Sequence, residues 1–96
     1  MCRFAGEADF IQVTTLNISQ SGMLVEGHGQ APIGTGVEFR FVLENGMQIL
    51  WGPGTVVRHA QPGRPHTLGI AFGALEPANQ RILARIVELN SDPLVP

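Results

Sequence analysis

The stretch VEFRFVLENG, Val37 to Gly46, limits the fold of this chain more than any other. Val37, Phe39, Phe41 and Leu43 fall on one side of an extended chain; Glu38, Arg40 and Glu44 fall on the other, with Val42 the exception. A helix would scatter these apolar residues around its circumference. A strand, whose side chains alternate between faces, gathers them on one buried face. Asn45-Gly46 then supplies the strongest hairpin signal in the chain, since both residues tolerate positive φ. An antiparallel return strand should follow, first MQILW and then TVVRHA. Gly52-Pro53-Gly54 interrupts that return. Proline has no N–H to give to a ladder, so the interruption predicts a bulge or a sheet edge.

The rest of the chain follows the same style. Twelve glycines and seven prolines punctuate short apolar runs, as they do in all-β folds. Cys2–Phe4 reads as a strand fragment, AGEAD as a turn, FIQVTTLN as a strand of β-branched residues and GMLVEG as a short strand. HGQAPIGTG and QPGRP read as loops, and HTLGIAF as the last strand. In that strand Leu68, Ile70 and Phe72 oppose Thr67, Gly69 and Ala71, and the small face predicts close approach by another element.

The period changes after Pro77. Ile82, Leu83, Ile86, Val87 and Leu89 form a stripe at helical spacing, with Asn79, Gln80, Arg81, Arg85 and Glu88 outside it. Pro77 suits a first helical turn, and Ser91-Asp92-Pro93 stops the helix. The expected fold is therefore all-β. A single domain over residues 1–96 carries six or so antiparallel strands, as a small barrel or sandwich, followed by one amphipathic helix. The helical stripe is core packing first; any part left uncovered would suit a homodimer or another protein partner.

Charge narrows the partners. The net charge is −2, and all six basic residues are arginine. A nucleic-acid or anionic-membrane surface needs a positive excess, so neither partner is expected. A bound anion would need a few well-placed arginines, whose planar fork matches phosphates. The single cysteine, Cys2, excludes an internal disulfide and a cysteine-rich zinc site, and fits a cytoplasmic protein. Neither a signal peptide nor an apolar run of membrane-spanning length is visible.

One polar stretch stands between apolar runs. TLNISQSGMLV places Asn17, Ser19 and Gly22 in the pattern N-x-S-x-x-G. Asparagine and serine cap turns through local hydrogen bonds. Glycine permits positive φ, or lets a ligand lie against bare backbone. The spacing alone leaves both a self-capped turn and a ligand site open.

The strand order around this stretch resembles the PilZ domain family, in particular its variants in myxobacteria and their relatives. The likeness runs from about Cys2 to Leu89 and rests on N-x-S-x-x-G joined to GMLV, on Gly54-Thr55-Val56-Val57-Arg58 and on LGIAF. It implies a six-stranded antiparallel barrel over about residues 2–74 and a C-terminal helix over about 77–90. It also implies a non-enzymatic cyclic di-GMP receptor or adaptor, with Asn17, Ser19 and Gly22 as the ligand-binding residues and no cofactor. Ligand-binding members also carry an R-x-x-x-R arm before the first strand. Here Arg3 is the only arginine before the motif, and Glu7 stands where a second would be. Two missing charge-assisted phosphate contacts would cost about 3–6 kcal/mol, so binding by this chain is expected to be weak or absent. Two readings stay open: the arm belongs to a longer receptor, or the domain is degenerate and serves protein interaction in a motility, pilus or chemotaxis-like assembly.

Other residues carry less. His28, His59 and His66 show no metal spacing and read as loop or strand-end residues. Ser19 with a histidine and Asp9 or Asp92 would make a triad, but no strained nucleophile turn is present. Trp51 reads as a core residue ahead of an exposed partner anchor. Arg58 and Arg64 read as solvated, or as one phosphate contact from the barrel side.

Overall fold

A computed structural model describes residues 1–27, 31–43, 45–59, 63 and 66–90. Its strands are β1 (Cys2–Phe4), β2 (Thr14–Ile18), β3 (Gly22–Glu26), β4 (Gly36–Val42), β5 (Gln48–Arg58) and β6 (Thr67–Phe72), followed by helix α1 (Pro77–Asn90). All pairings are antiparallel, in the order β1-β4-β5-β6-β3-β2. The two ends of this sheet touch at one bridge. Cys2 N–H donates to Ile11 O at 2.9 Å, and Ile11 N–H donates to Cys2 O at 2.8 Å. The sheet thus curls into a barrel-like shape that meets itself at a single point.

The alternation read from β4 accounts for the core. Val37 and Phe39 are buried, together with Val25, Leu50, Val56, Leu68 and Ile70 from the neighbouring strands. Phe39 packs on Phe72 with ring centroids 4.9 Å apart. Leu43, expected on the same buried face, is exposed because the strand ends at Val42. α1 adds Leu83 to this cluster, with Ile82, Ile86 and Val87 packed around it. Among the described residues, no helix is long and apolar enough to cross a membrane.

Three expectations change in the structure. The FIQVTTLN run is strand only from Thr14 onward. Phe10 instead is half-buried, with the Arg40 guanidinium 3.7 Å from its ring centroid, a cation–π contact. Next, β5 passes through Gly52-Pro53-Gly54 without a break. Ala5 N–H bonds Gly36 O and Arg40 N–H bonds Met1 O, so alternation turns the intervening Glu38, the partner of Pro53, towards β1. On the other side β6 ends at Phe72, opposite Gly54, and Gly73 N–H donates to Pro53 O at 2.8 Å. No neighbour calls on Pro53 for a donor; the expected edge is present, the bulge is not.

That local edge explains the third change. Trp51 lies on the part of β5 that β6 does not cover. Its N–H donates to Asn79 Oδ1 at 3.2 Å. Asn79, placed outside the apolar stripe by periodicity, is therefore 2% exposed, because a strand N–H beside a helix needs a polar partner. The Trp51 side chain, read as core, is 43% exposed on the outer face, and Leu89 of the stripe is 68% exposed.

Candidate functional site

The N-x-S-x-x-G stretch forms the β2–β3 hairpin turn. Ser19 N–H donates to Gly22 O at 2.8 Å. Ser19 Oγ accepts the N–H groups of Ser21 at 3.2 Å and Gly22 at 3.3 Å. The serine thus closes its own turn, and among the described residues no histidine joins it. Gly22 does not adopt a left-handed conformation. It is glycine because a Cβ would stand 2.4 Å from Ile70 O, on the neighbouring β6 backbone.

Asn17 differs. It is exposed, and no hydrogen bond ties its amide to another described residue. It follows a register shift between Thr15 and Asn17, where Leu16 is the extra residue. A second shift in β5 makes Val57 the extra residue before Arg58. Such bulges re-aim the side chains that follow them. The two bulges bracket the β3–β6 pair, so that Asn17, Leu24, Gly69 and Arg58 form one cross-strand row.

This row edges an open hollow of about 270 Å³, bordered by Asn17, Ser19, Gly22, Leu24, Arg58 and Gly69. Its floor is low because Gly69 has no side chain; a Cβ there would meet the Arg58 side chain at 3.0 Å. The close approach that the small face of β6 predicted is thus made by an arginine stem. Arg58 is the only cation among the residues lining this hollow. Sequence reading left its direction open, because a β-bulge has no local signature.

The remaining candidates do not converge. Arg3 pairs with Glu38 and faces the Phe10 ring. Glu7 Oε1 accepts Phe4 N–H at 3.1 Å and closes the turn after β1. His59 Nε2 lies 2.6 Å from Ala31 O, and His66 is exposed. His28, Arg64 and Asp92 lie outside the described residues. Burial pushes the Cys2 thiol up to about 11, so it is not a nucleophile near neutral pH. Among the described residues no three His, Cys, Asp or Glu side chains gather as metal ligands would.

The family model of the PilZ domain matches residues 2–89 of the chain. Neither a curated protein nor a solved structure matches it significantly.

Proposed function

The chain belongs to the PilZ domain family, and from that premise we propose that it is a cyclic di-GMP signalling module whose binding face is the hollow beside the β2–β3 turn. The observation that carries this reading is that Asn17, Ser19, Gly22 and Arg58 border one hollow.

The roles follow from the side chains. The Asn17 amide offers an acceptor and two donors to a guanine edge. Ser19 holds the turn that positions it. Gly69 and Leu24 leave a low floor on which a base can lie. The Arg58 guanidinium can fork onto a phosphate or stack on the base. One charge-assisted contact returns only about 1.5–3 kcal/mol, about half of what the R-x-x-x-R pair would supply, so the chain binds weakly.

Calorimetry with cyclic di-GMP tests this on the chain as it stands and on a form with an R-x-x-x-R segment joined ahead of Met1. The expected result is weak heat for the first and clear binding for the second, lost in Asn17→Ala and reduced in Arg58→Ala. Silence from both forms sinks the receptor reading.

A second reading, a protein-interaction domain, draws on the β4–β5 hairpin. Val42, Leu43, Met47 and Trp51 are all exposed there. A partner indifferent to Trp51→Ala would count against that surface.

A further inference from the structure

Asn45 and Gly46, at the tip of the β4–β5 hairpin, are both exposed. Three hydrogen bonds shape this turn. Leu43 N–H donates to Met47 O at 2.9 Å and closes the hairpin. Gly46 N–H donates to Leu43 O at 2.8 Å. Met47 N–H donates to the side-chain oxygen Oδ1 of Asn45 at 2.9 Å. Gly46 sits at a φ of 86°, and a Cβ built on it would meet nothing within 4 Å.

We propose that Asn45 is a site of spontaneous covalent modification, in which the main-chain nitrogen of Gly46 displaces the side-chain amide nitrogen, and that the Gly46 N–H···O Leu43 bond gates the step. Water and a base are the co-reactants. The base takes the Gly46 amide proton. The nitrogen attacks Asn45 Cγ; the N–Cγ bond forms as an electron pair moves onto Oδ1. The pair returns, the Cγ–Nδ2 bond breaks, and Nδ2 leaves as ammonia with a proton from water. Water then opens the cyclic imide at either carbonyl, giving aspartate or isoaspartate. Either product replaces a neutral amide by a carboxylate.

Each contact of the turn has a part in this. Met47 N–H points at Oδ1, where negative charge gathers as the nitrogen adds, as the donors of an oxyanion hole do. Without a Cβ, Gly46 leaves its attacking nitrogen uncrowded. The bond to Leu43 O acts the other way. An N–H held on a carbonyl is shielded from base, so the turn must open first. An exposed hairpin tip opens locally, without unfolding of the core strands.

Asn17 and Asn79 lack this combination. Asn17 precedes Ile18, whose β-branched side chain crowds the nitrogen that would attack. Asn79 is 2% exposed in α1, with Oδ1 held by Trp51 N–H. At Asn45 the new carboxylate would stand between Leu43 and Met47, both exposed, within the apolar hairpin surface of the second functional reading. An apolar partner there would bind the aged chain less tightly. The chemistry itself depends on neither reading.

The test incubates the folded chain beside the peptide acetyl-Val-Leu-Glu-Asn-Gly-Met-Gln-amide, the same turn without the fold, at mildly alkaline pH. Peptide mapping by mass spectrometry follows each asparagine. Asn45 should convert ahead of Asn17 and Asn79, faster as pH rises, and more slowly than in the peptide. Hydrogen exchange at Gly46 should be slowed in the chain relative to the peptide. Asn45→Gln should abolish the early charge change in the chain. Alanine in place of the glycine should slow the peptide about tenfold or more, a comparison in which folding plays no part. Asn45 intact after the peptide has converted overturns the proposal, as does conversion of Asn17 at the same rate. Conversion of the chain at the peptide's rate, with the Gly46 amide protected from exchange, overturns the gate.

Discussion

The β2–β3 turn at Ser19–Gly22 and the β4–β5 turn at Leu43–Met47 each join neighbouring antiparallel strands, and each contains a glycine that cannot be exchanged freely. The reasons are opposite. Gly46 has φ of 86°, and a Cβ built on it meets nothing within 4 Å. It is glycine because of its own backbone. Gly22 has an ordinary φ but lies against Ile70 O. It is glycine because of a strand 48 residues away. The caps differ too. In the β4–β5 turn Met47 N–H donates to Asn45 Oδ1 at 2.9 Å, so the asparagine is engaged by its turn. In the β2–β3 turn Ser19 does the capping, and the asparagine is left facing outward. Asn45 is thus held by its own turn, whereas Asn17, on β2 just ahead of its turn, is exposed on the strand.

Substitutions can break that contrast. Gly22→Ala should cost most, about 2–3 kcal/mol, since the clash is with backbone that cannot rotate away; urea unfolding should show a lower midpoint at an unchanged slope. Gly46→Ala should cost about 1–2 kcal/mol, purely conformational. If the two cost the same, the distinction between crowding and strain fails. Ser19→Ala should cost about 1 kcal/mol, because the N–H groups it releases at Ser21 and Gly22 are near water. Asn17→Ala should change stability by less than about 0.5 kcal/mol, while removing whatever cyclic di-GMP binding calorimetry detects. A large loss of stability there would make Asn17 a structural residue and remove the reason to assign it a ligand.

Much of the fold was legible. The period-two run in β4, the Asn45-Gly46 turn and the helical stripe from Ile82 are local patterns, and each has its structure where expected. The helix runs Pro77–Asn90, as its start and stop residues require. The closing hairpin is a variant of the expected one: Leu43 and Met47 bond directly and, among the described residues of the turn, only Gly46 turns left-handed, where the two-residue loop that Asn-Gly favours would turn both residues left-handed. Less was legible at the site. Asn17 and Ser19 could be named as candidates from their spacing, but Arg58 could not be joined to them. Their meeting depends on bulges at Leu16 and Val57, on opposite sides of the β3–β6 pair. Asn79 was misplaced for a similar reason, since its partner Trp51 N–H is open only because β6 stops short.

The sequence by itself determined the strand character, the position of the turns and the amphipathic helix, because each is carried by residues close together in the chain, and the family, because its motifs recur in a fixed order along residues 2–89. Only the tertiary structure decided which strands flank which, where the sheet fails to close, why Gly22 must be glycine, and that Arg58 shares a hollow with Asn17. Those outcomes depend on the identity of a cross-strand neighbour about 5 Å away in space, and periodicity along one strand holds no information about the register of the next.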